Sequence, residues 1–350
     1  MTNRSVLAIT AGDPAGIGPE ITLLCLTDPL IREETRAVVY GDPAILRRAA
    51  EAINAEVHLR ILNDPRDATD DVDVIDVYDI GVIGNAKDIA WGQAQALAGR
   101  AAVTAIEDAT RDALIGRVDG IVTAPINKEA IWATGSQFLG HTEMISSLTR
   151  ASFADTMFVV DDLCVFFATR HMSLAQAVAS IKRDLLEAQI RRALTALHVF
   201  GRDIPRLAVA ALNPHGGEGG HFGREEIDEI APAIHEVNAD IAKGLIAAAP
   251  VAGPIPADSV FHLGLTGRFD GVISLYHDQG HIATKTYDFE NTVSVTVGLP
   301  ILRTSVDHGT AFDIAGTGQA SPATMRAAIQ AGVRFARFND RIKATYLVSY

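Results

Sequence analysis

The sequence contains little cysteine and no long apolar run. Of its 350 residues only Cys25 and Cys164 are cysteines; both lie in apolar stretches, and neither has Cys-x-x-Cys spacing. A disulfide framework is therefore not expected, and we interpret both thiols as buried and free. No uninterrupted apolar stretch reaches the roughly 20 residues that span a bilayer, and no signal-peptide pattern opens the chain. We therefore expect no membrane partner and a cytoplasmic location.

Positive charge is also scarce. Thirty Lys and Arg residues stand against 43 Asp and Glu residues, which gives a formal net charge of −13. Such an acidic chain is a poor candidate for binding nucleic acid or anionic membranes. An anionic small substrate is not excluded, because a local cluster of basic residues can override the global sign. The length suits two domains or one large α/β unit.

Short β-branched runs alternate with longer Ala- and Leu-rich stretches. RAVVYG, GIVTAP and GVISLY are examples of the first kind, and DLLEAQIRRALTALHVFG is an example of the second. This alternation predicts βαβ units, with mostly parallel sheets and helices on both faces. Continuous apolar strands also fit a sheet that is covered on both sides.

Polar side chains follow four of the predicted strands directly. Lys128 follows GIVTAP, His171 follows CVFFAT, His215 follows LAVAAL, and His277 follows GVISLY. In open parallel sheets, ligands bind outside the carboxyl ends of the strands. We therefore expect these four clusters to converge on one cleft.

The three histidines are candidate metal ligands. Imidazoles from three strand ends can hold one divalent cation and leave positions for substrate oxygens. The alternative is a helix cap, a turn residue and a surface group with no common role. Asp278 and Asp258 could orient an imidazole or accept a proton, although Asp258 could equally be a helix N-cap.

Two glycine-rich segments are less specific. NPHGGEGG permits positive φ angles and close backbone approach around His215, or is simply a flexible loop. AITAGDPAGIGPEI forms a tight turn after the first strand, but it is neither GxGxxG nor a Walker A sequence. A local structural role is the expectation for this turn, and a place at the edge of a substrate or cofactor site is the alternative.

Basic residues near the strand ends could clamp an anion. Lys128, Lys285 and Arg303, together with His141 and Thr142, could bind a phosphate or carboxylate. The alternative for each cation is an ordinary solvated surface charge.

Six motifs carry a family resemblance: GDPAGIGPE, TAPINKEA, GHTE, NPHGGEGGHFGREE, YHDQGH and LPILRTSVDHGTAFDIAG, in this order. The chain resembles the 4-hydroxythreonine-4-phosphate dehydrogenase (PdxA) family from about Leu7 to about Ala331. The resemblance implies a two-domain fold like that of isopropylmalate and isocitrate dehydrogenases, with the active site in the cleft between domains. Residues 1–130 and 300–350 would form a discontinuous first domain. Residues 131–299 would form a second domain with the metal site and the dimer interface.

The resemblance also implies roles for individual residues. The metal would be held by His171, His215 and His277, in a site shared between the subunits of a homodimer. Substrate contacts would come from His141, Thr142, Lys285 and Arg303, and we add Lys128 to this set because of its place after a predicted strand. Ser294 stands where the pyridoxine-pathway enzyme has an asparagine, and serine lacks the amide group. The dinucleotide would lie along His308, Gly309, Thr310, Ala311, Asp313, Ile314 and Gly316, a segment similar to the cofactor loop of isopropylmalate dehydrogenases. Lys285, or a water held by Asp278 or Asp258, would accept the proton.

The implied reaction is a metal-dependent oxidation with decarboxylation of a 4-phosphorylated hydroxy acid, such as 4-phosphohydroxy-L-threonine. NAD or NADP would accept the hydride, and the metal would be Zn²⁺, with Mg²⁺ or Co²⁺ as alternatives. The YHDQGHI segment is more similar to relatives that act on 4-phospho-D-threonate or 4-phospho-D-erythronate, so these substrates are alternatives. A metal-dependent hydrolase and a non-catalytic sugar-phosphate sensor are the rival functions from other classes.

Overall fold

The computed structural model describes residues 4–138 and 140–347. The chain divides into two compact units. The first takes in the described residues up to Ala154 and those from Val293 onward, and the second comprises Asp155–Thr292. The sequence-based boundaries at 130 and 300 differ from these, because residues 131–154 and 293–299 lie in the first unit. Met144 and Ile145 explain the first difference, since they pack in one hydrophobic cluster with Ile106 of that unit.

The strands, numbered along the chain, are β1 (Val6–Thr10), β2 (Arg36–Gly41), β3 (His58–Leu62), β4 (Val74–Asp79), β5 (Gly120–Thr123), β6 (Asp155–Val160), β7 (Leu163–Phe167), β8 (Leu207–Ala210), β9 (Ala252–Ile255), β10 (Gly271–Ser274), β11 (Val293–Val297) and β12 (Arg303–Ser305). Six of these twelve strands are short and buried along their whole length, namely β1, β5, β7, β8, β10 and β12. Continuous burial of this kind is typical of sheets that are covered on both faces.

The helices are α1 (Gly18–Leu26), α2 (Pro29–Glu34), α3 (Pro43–Ala52), α4 (Ala96–Leu114), α5 (Lys128–Trp132), α6 (His141–Thr149), α7 (Leu174–Ser180), α8 (Arg183–Val199), α9 (Ala231–Ala242), α10 (Ala257–Leu265), α11 (His277–Tyr287), α12 (Ala323–Ala336) and α13 (Asn339–Tyr346). Several begin with proline in the first turn, a position whose backbone N–H has no helical partner. Among the helices of the described residues, none is both long and apolar enough to cross a membrane.

The sheet of the first unit has the strand order β3-β4-β2-β1-β5-β12-β11. Its pairings are parallel except for the antiparallel pair of β11 and β12. Ala8 of β1 lies between Val38 of β2 and Ile121 of β5, and all three side chains are buried in one hydrophobic cluster. That cluster holds the sheet against α4, which supplies Ala105, Ile106 and neighbouring small residues.

The sheet of the second unit has the order β6-β7-β10-β8-β9. Strands β6 and β7 form an antiparallel pair, and β7, β10, β8 and β9 are parallel. The central position of β10 matters for the site, because its carboxyl end lies between those of β7 and β8. The predicted α/β fold with mostly parallel sheets is confirmed, and both cysteines are buried and free, as predicted.

Candidate active site

The three candidate metal ligands follow three neighbouring parallel strands of the second unit. His171 comes four residues after the end of β7, His277 comes three after β10, and His215 comes five after β8. The rings of His171 and His277 are 6.0 Å apart between centroids. Both line a cavity of about 590 Å³. Tyr276 also lines it, as do Arg170 and other residues of the β7–α7 loop.

Asp278 orients the His277 imidazole. Its Oδ1 atom lies 2.7 Å from Nδ1 of His277, at the first turn of α11. A carboxylate can only accept, so Nδ1 carries the proton and Nε2 is the nitrogen left for a ligand. Asp278 therefore fits the outer partner of a ligating histidine, one of the two roles predicted for it from the sequence.

His281 packs against one face of the His277 ring. The two rings stack with centroids 3.6 Å apart and an interplanar angle of 12°. Nδ1 of His281 lies 2.8 Å from the carbonyl oxygen of His277, so this nitrogen donates. The His281 ring also packs edge-on against Phe158, with centroids 4.4 Å apart. This histidine is wedged between His277 and the hydrophobic core of the unit.

His215 lies in a left-handed turn. The φ angles are 52° at His215, 70° at Gly216, 81° at Gly217, 45° at Glu218 and 66° at Gly219. Left-handed backbone is nearly free of strain only for glycine, which is why the sequence is so rich in glycine here. The prediction that these glycines adopt positive φ angles is confirmed.

Glu226 fixes the base of that turn, and the sequence reasoning missed it. The side chain is buried. Its Oε1 atom accepts hydrogen bonds from the backbone N–H groups of Leu212 (2.8 Å) and Asn213 (2.7 Å). Its Oε2 atom accepts one from Nδ2 of Asn213 (2.8 Å). The signal in the sequence is a glutamate that closes a glycine-rich loop, in GREE, and it is too common a pattern to be specific.

Two of the three histidines meet the geometric requirement for a shared ion. With nitrogen–metal bonds of about 2 Å, two ligating imidazoles have ring centres roughly 5–6 Å apart. His171 and His277 fit this range. Within the described residues, however, no three His, Cys, Asp or Glu side chains are grouped closely enough to hold a metal ion. The structure does not bring His215 to the other two within one chain, and the three-histidine site stays a prediction.

Arg303, the first residue of β12 in the other unit, is a buried cation without an acidic partner among the described residues. It is 5% exposed and donates hydrogen bonds to the hydroxyl oxygens of Thr123 (2.9 Å), Thr296 (2.9 Å) and Thr142 (3.2 Å). Its Nε atom is buried without a partner. Burial lowers the pKa of Arg303 to about 10, so the group is still charged at neutral pH.

His141 stands beside this guanidinium. It is the first residue of α6, and its Nε2 atom is buried without a hydrogen-bond partner. Burial, and then the charge of Arg303, hold the pKa of His141 well below its ordinary value, so the imidazole is neutral. A neutral imidazole, a hydroxyl and a guanidinium with a free donor form a site that an anion such as phosphate would complete.

The remaining predicted substrate and proton-transfer residues have diverse surroundings. Lys128 is exposed at the start of α5. Ser294 is partly buried in β11 and lies opposite Ser305 in the antiparallel pair. Lys285 lies in the last turn of α11, with Nζ 5.3 Å from the ring centre of Phe289. Asp258 is exposed in the first turn of α10, where Pro256 is the N-cap residue, so the N-cap interpretation of Asp258 is wrong.

The predicted cofactor loop follows β12 in the first unit. Nε2 of His308 lies 2.8 Å from Oγ1 of Thr324, which ties the start of the loop to α12. Thr310 is buried, Ala311 has a φ angle of 41°, and Asp313 is exposed. Gly309 is exposed as well, and a side chain there would meet open space. Ile314 accepts a backbone hydrogen bond from Thr317, and Gly316 adopts a φ angle of 82°. Hydrogen bonds within the chain thus hold this loop.

Comparisons with known proteins identify the family. The family model of the pyridoxal phosphate biosynthetic protein PdxA matches residues 33–332. A protein of Cutibacterium acnes named "Putative D-threonate 4-phosphate dehydrogenase" is 55% identical over 349 residues, which cover 100% of this chain and 99% of that protein. One of Symbiobacterium thermophilum with the same name is 47% identical and covers 96% of this chain and 98% of its own.

Among solved structures, the 4-hydroxythreonine-4-phosphate dehydrogenase of Klebsiella pneumoniae superposes with a TM-score of 0.88 at 39% identity. The match covers 95% of this chain and 98% of that one. Both the resemblance seen in the motifs and the prediction of a dehydrogenase are confirmed. The chain therefore belongs to the PdxA family and is a dehydrogenase of that family.

Proposed function

We propose that this dehydrogenase oxidises a 4-phosphorylated hydroxy acid with a nicotinamide dinucleotide, and that the acid is D-threonate 4-phosphate. The observation that carries the proposal is the buried, acid-free guanidinium of Arg303 beside the neutral imidazole of His141. A buried cation is costly unless it is paired, and a phosphate group would supply the missing partner. Thr142, whose hydroxyl already contacts Arg303, would bind the same phosphate.

The choice of D-threonate 4-phosphate rests on the names of the relatives and on Ser294. Proteins 55% and 47% identical to this chain carry that substrate in their names. The structural neighbour named for 4-hydroxythreonine 4-phosphate is only 39% identical. Ser294 offers a hydroxyl where the resemblance predicts an amide, which suits a substrate with different polar groups near that strand. 4-Phosphohydroxy-L-threonine is the second candidate, because of that neighbour.

The imidazoles of His171, His215 and His277 would hold a divalent ion, with Zn²⁺ favoured over Mg²⁺ or Co²⁺. Such an ion supplies Lewis acidity at the substrate hydroxyl and carboxylate. Asp278 accepts a hydrogen bond from Nδ1 of His277, which would leave Nε2 to bind the ion. Because Asp278 is engaged in this way, we favour Lys285 as the acceptor of the hydroxyl proton. NAD or NADP would accept the hydride from the substrate carbon, and the resulting β-keto acid would lose CO₂ as its enolate takes up a proton.

The dinucleotide would lie along the loop from His308 to Gly316, with Gly309 at its exposed face.

In this proposal the enzyme is a homodimer, and the third imidazole of each site comes from the partner subunit. Mixing inactive His171→Ala, His215→Ala and His277→Ala variants in pairs tests this arrangement. A mixed pair regains activity only if one of the two substituted histidines binds the metal in the partner subunit's site and the other binds the metal in the site of its own subunit. If no pair regains activity, although each variant still dimerises, the shared site is excluded.

The test of the function is a substrate screen. Purified protein is mixed with D-threonate 4-phosphate, D-erythronate 4-phosphate or 4-phosphohydroxy-L-threonine, with NAD or NADP, and with or without Zn²⁺. We expect the absorbance of reduced cofactor to rise fastest with D-threonate 4-phosphate, and to stop rising after chelation of the metal. Release of inorganic phosphate without reduced cofactor would instead identify a hydrolase. If the unphosphorylated acid is turned over at an equal rate, Arg303 does not act by binding the substrate phosphate.

A further inference from the structure

The tight turn of GDPAGIGPE contains a fully buried carboxylate with no role in the reaction described above. Glu20 lies in the first turn of α1 and is 0% exposed. Its Oε1 atom accepts a hydrogen bond from the backbone N–H of Gly316 (2.6 Å), and its Oε2 atom accepts one from Gly318 (3.0 Å). The first glycine ends the predicted dinucleotide loop, and the second lies two residues beyond it. One carboxylate thus spans the end of that loop.

The same turn also holds the middle of the loop. The backbone N–H of Ile17 donates to the carbonyl oxygen of Thr310 at 3.0 Å. Gly16 packs so closely that a Cβ atom there would lie 2.8 Å from Cβ of Thr310. Real Cβ atoms do not approach one another this closely, so a larger residue at position 16 would push Thr310 and its loop away. The turn after β1 therefore contacts the loop at two separate places.

Trp91 and Arg48 complete the support. A Cβ atom at Gly316 would lie 2.8 Å from the ring of Trp91, so the ring forms a surface directly against the loop. The guanidinium of Arg48 stacks on that ring, 3.9 Å from its centroid, and donates to the carbonyl oxygen of Pro14 at 2.9 Å. The turn after β1, the ring of Trp91 and the loop therefore pack against one another within the first unit.

We propose that Glu20 is a positioning residue for dinucleotide binding. Its carboxylate engages the last amide of the loop and a second amide two residues beyond it, so these N–H groups are not available to phosphate. They instead fix the loop in one conformation before the cofactor arrives. A binding surface that is already ordered loses less conformational entropy on binding, which increases affinity. The inference rests on the proposed function, because it takes the His308–Gly316 loop as the dinucleotide site. It also gives the turn a role distinct from that of a phosphate-binding loop.

The test is Glu20→Gln. Glutamine has nearly the same shape but only one acceptor oxygen, so its NH₂ group would face one of the two loop N–H groups. We expect the Kd of NADH, measured by fluorescence titration, and the KM of NAD to rise about tenfold, since bonds to a charged acceptor are among the stronger ones. The KM of the phosphorylated acid should stay within about twofold. If Glu20 only stabilised the fold, the substitution would not raise the KM of NAD while leaving the KM of the phosphorylated acid nearly unchanged.

The matched control is Glu33→Gln, on the exposed side of α2. It removes the same charge from the same unit and should leave both KM values unchanged. If Glu20→Gln does not fold, Glu20→Asp keeps the charge but shortens the reach, and it should also raise the Kd of NADH. Values of Kd at the wild-type level in a folded Glu20 variant would overturn the inference.

A second variant separates this inference from the proposed cofactor site. A Cβ atom at Gly309 would meet no atom within 4 Å, so the fold should tolerate Gly309→Val, which adds bulk to the exposed face of the loop. Gly84→Val, at another exposed glycine with open space around it, is its control. If Gly309→Val leaves NADH binding unchanged, the loop is not the dinucleotide site and the placement of the cofactor fails. If Gly309→Val weakens binding but Glu20→Gln does not, only the role of Glu20 fails.

Discussion

Replacing Arg303 by methionine should abolish efficient catalysis while leaving the fold almost as stable as before. Methionine fills a similar volume with no charge. The guanidinium is 5% exposed and bonded only to the hydroxyls of Thr123, Thr142 and Thr296 among the described residues. Such a residue contributes little to stability, and the proposed binding of a phosphate explains why an arginine stands there.

The magnitudes follow from the burial of this charge. Burial lowers the pKa of Arg303 from 12.5 to about 10, so burial costs the charged form roughly 3 kcal/mol relative to water, although that form still predominates at neutral pH. Methionine removes that cost but also removes three hydrogen bonds to the guanidinium, each of about 1 kcal/mol. These terms nearly cancel, so we expect a change of under about 2 kcal/mol in the free energy of unfolding. The loss of a buried, charge-paired partner of phosphate should lower kcat/KM by about 10²- to 10³-fold.

Urea denaturation and steady-state kinetics measure the two effects separately. Arg32→Met is the matched control, because Arg32 is also buried but bonds to backbone carbonyls of Asp71 and Val74. It should destabilise the protein and leave kcat/KM unchanged. If Arg303→Met lowers the free energy of unfolding as much as Arg32→Met does, or keeps kcat/KM within about threefold, Arg303 is a structural residue and the reasoning is wrong.

Three further predictions concern the same reaction. First, kcat/KM should rise with pH near 6, where a phosphate takes its second charge, and fall as Arg303 loses its proton near pH 10, while His141, neutral throughout, adds no decline between them. A pH profile between 5 and 11 checks this (roughly the range set by these groups). Second, Asp278→Asn should weaken Zn²⁺ binding about 10- to 100-fold by calorimetry, because the partner of His277 Nδ1 loses its charge. Third, Ser294→Asn should shift the ratio of kcat/KM values toward 4-phosphohydroxy-L-threonine by about tenfold in parallel assays, because it restores an amide donor.

The sequence predicts which strand ends carry the polar residues, and the reason is local. A strand buried on both faces is a continuous apolar run, and the first polar residues after it mark its end. His171, His215 and His277 are found in this way, and the structure places them after three neighbouring parallel strands, β7, β8 and β10. The order of those strands in the sheet is not local, since it depends on crossover connections that leave no pattern in the sequence.

The supporting residues could not be predicted for the same reason. Glu20 and Gly316 are 296 positions apart, and their hydrogen bond exists only because β1 and β12 both lie beside β5 in one sheet. Glu226 lies close to His215 in the sequence, but a glutamate after a glycine-rich loop is usually a solvated surface group. Only its burial and its three hydrogen bonds to Leu212 and Asn213 distinguish it.

Several of the candidate site residues impose an energetic cost on the fold. His171 and His215 adopt φ angles of 36° and 52°, and a left-handed conformation costs a residue other than glycine about 1–2 kcal/mol. Arg303 bears a desolvated charge, and His141 has a buried nitrogen without a partner. A fold selected for stability alone would replace each of them, with glycine or asparagine in the turns and an apolar residue in the sheet. Backbone strain and unsatisfied polarity also occur elsewhere in the fold, but at these four positions the cost is expected if it is relieved only when ligand binds.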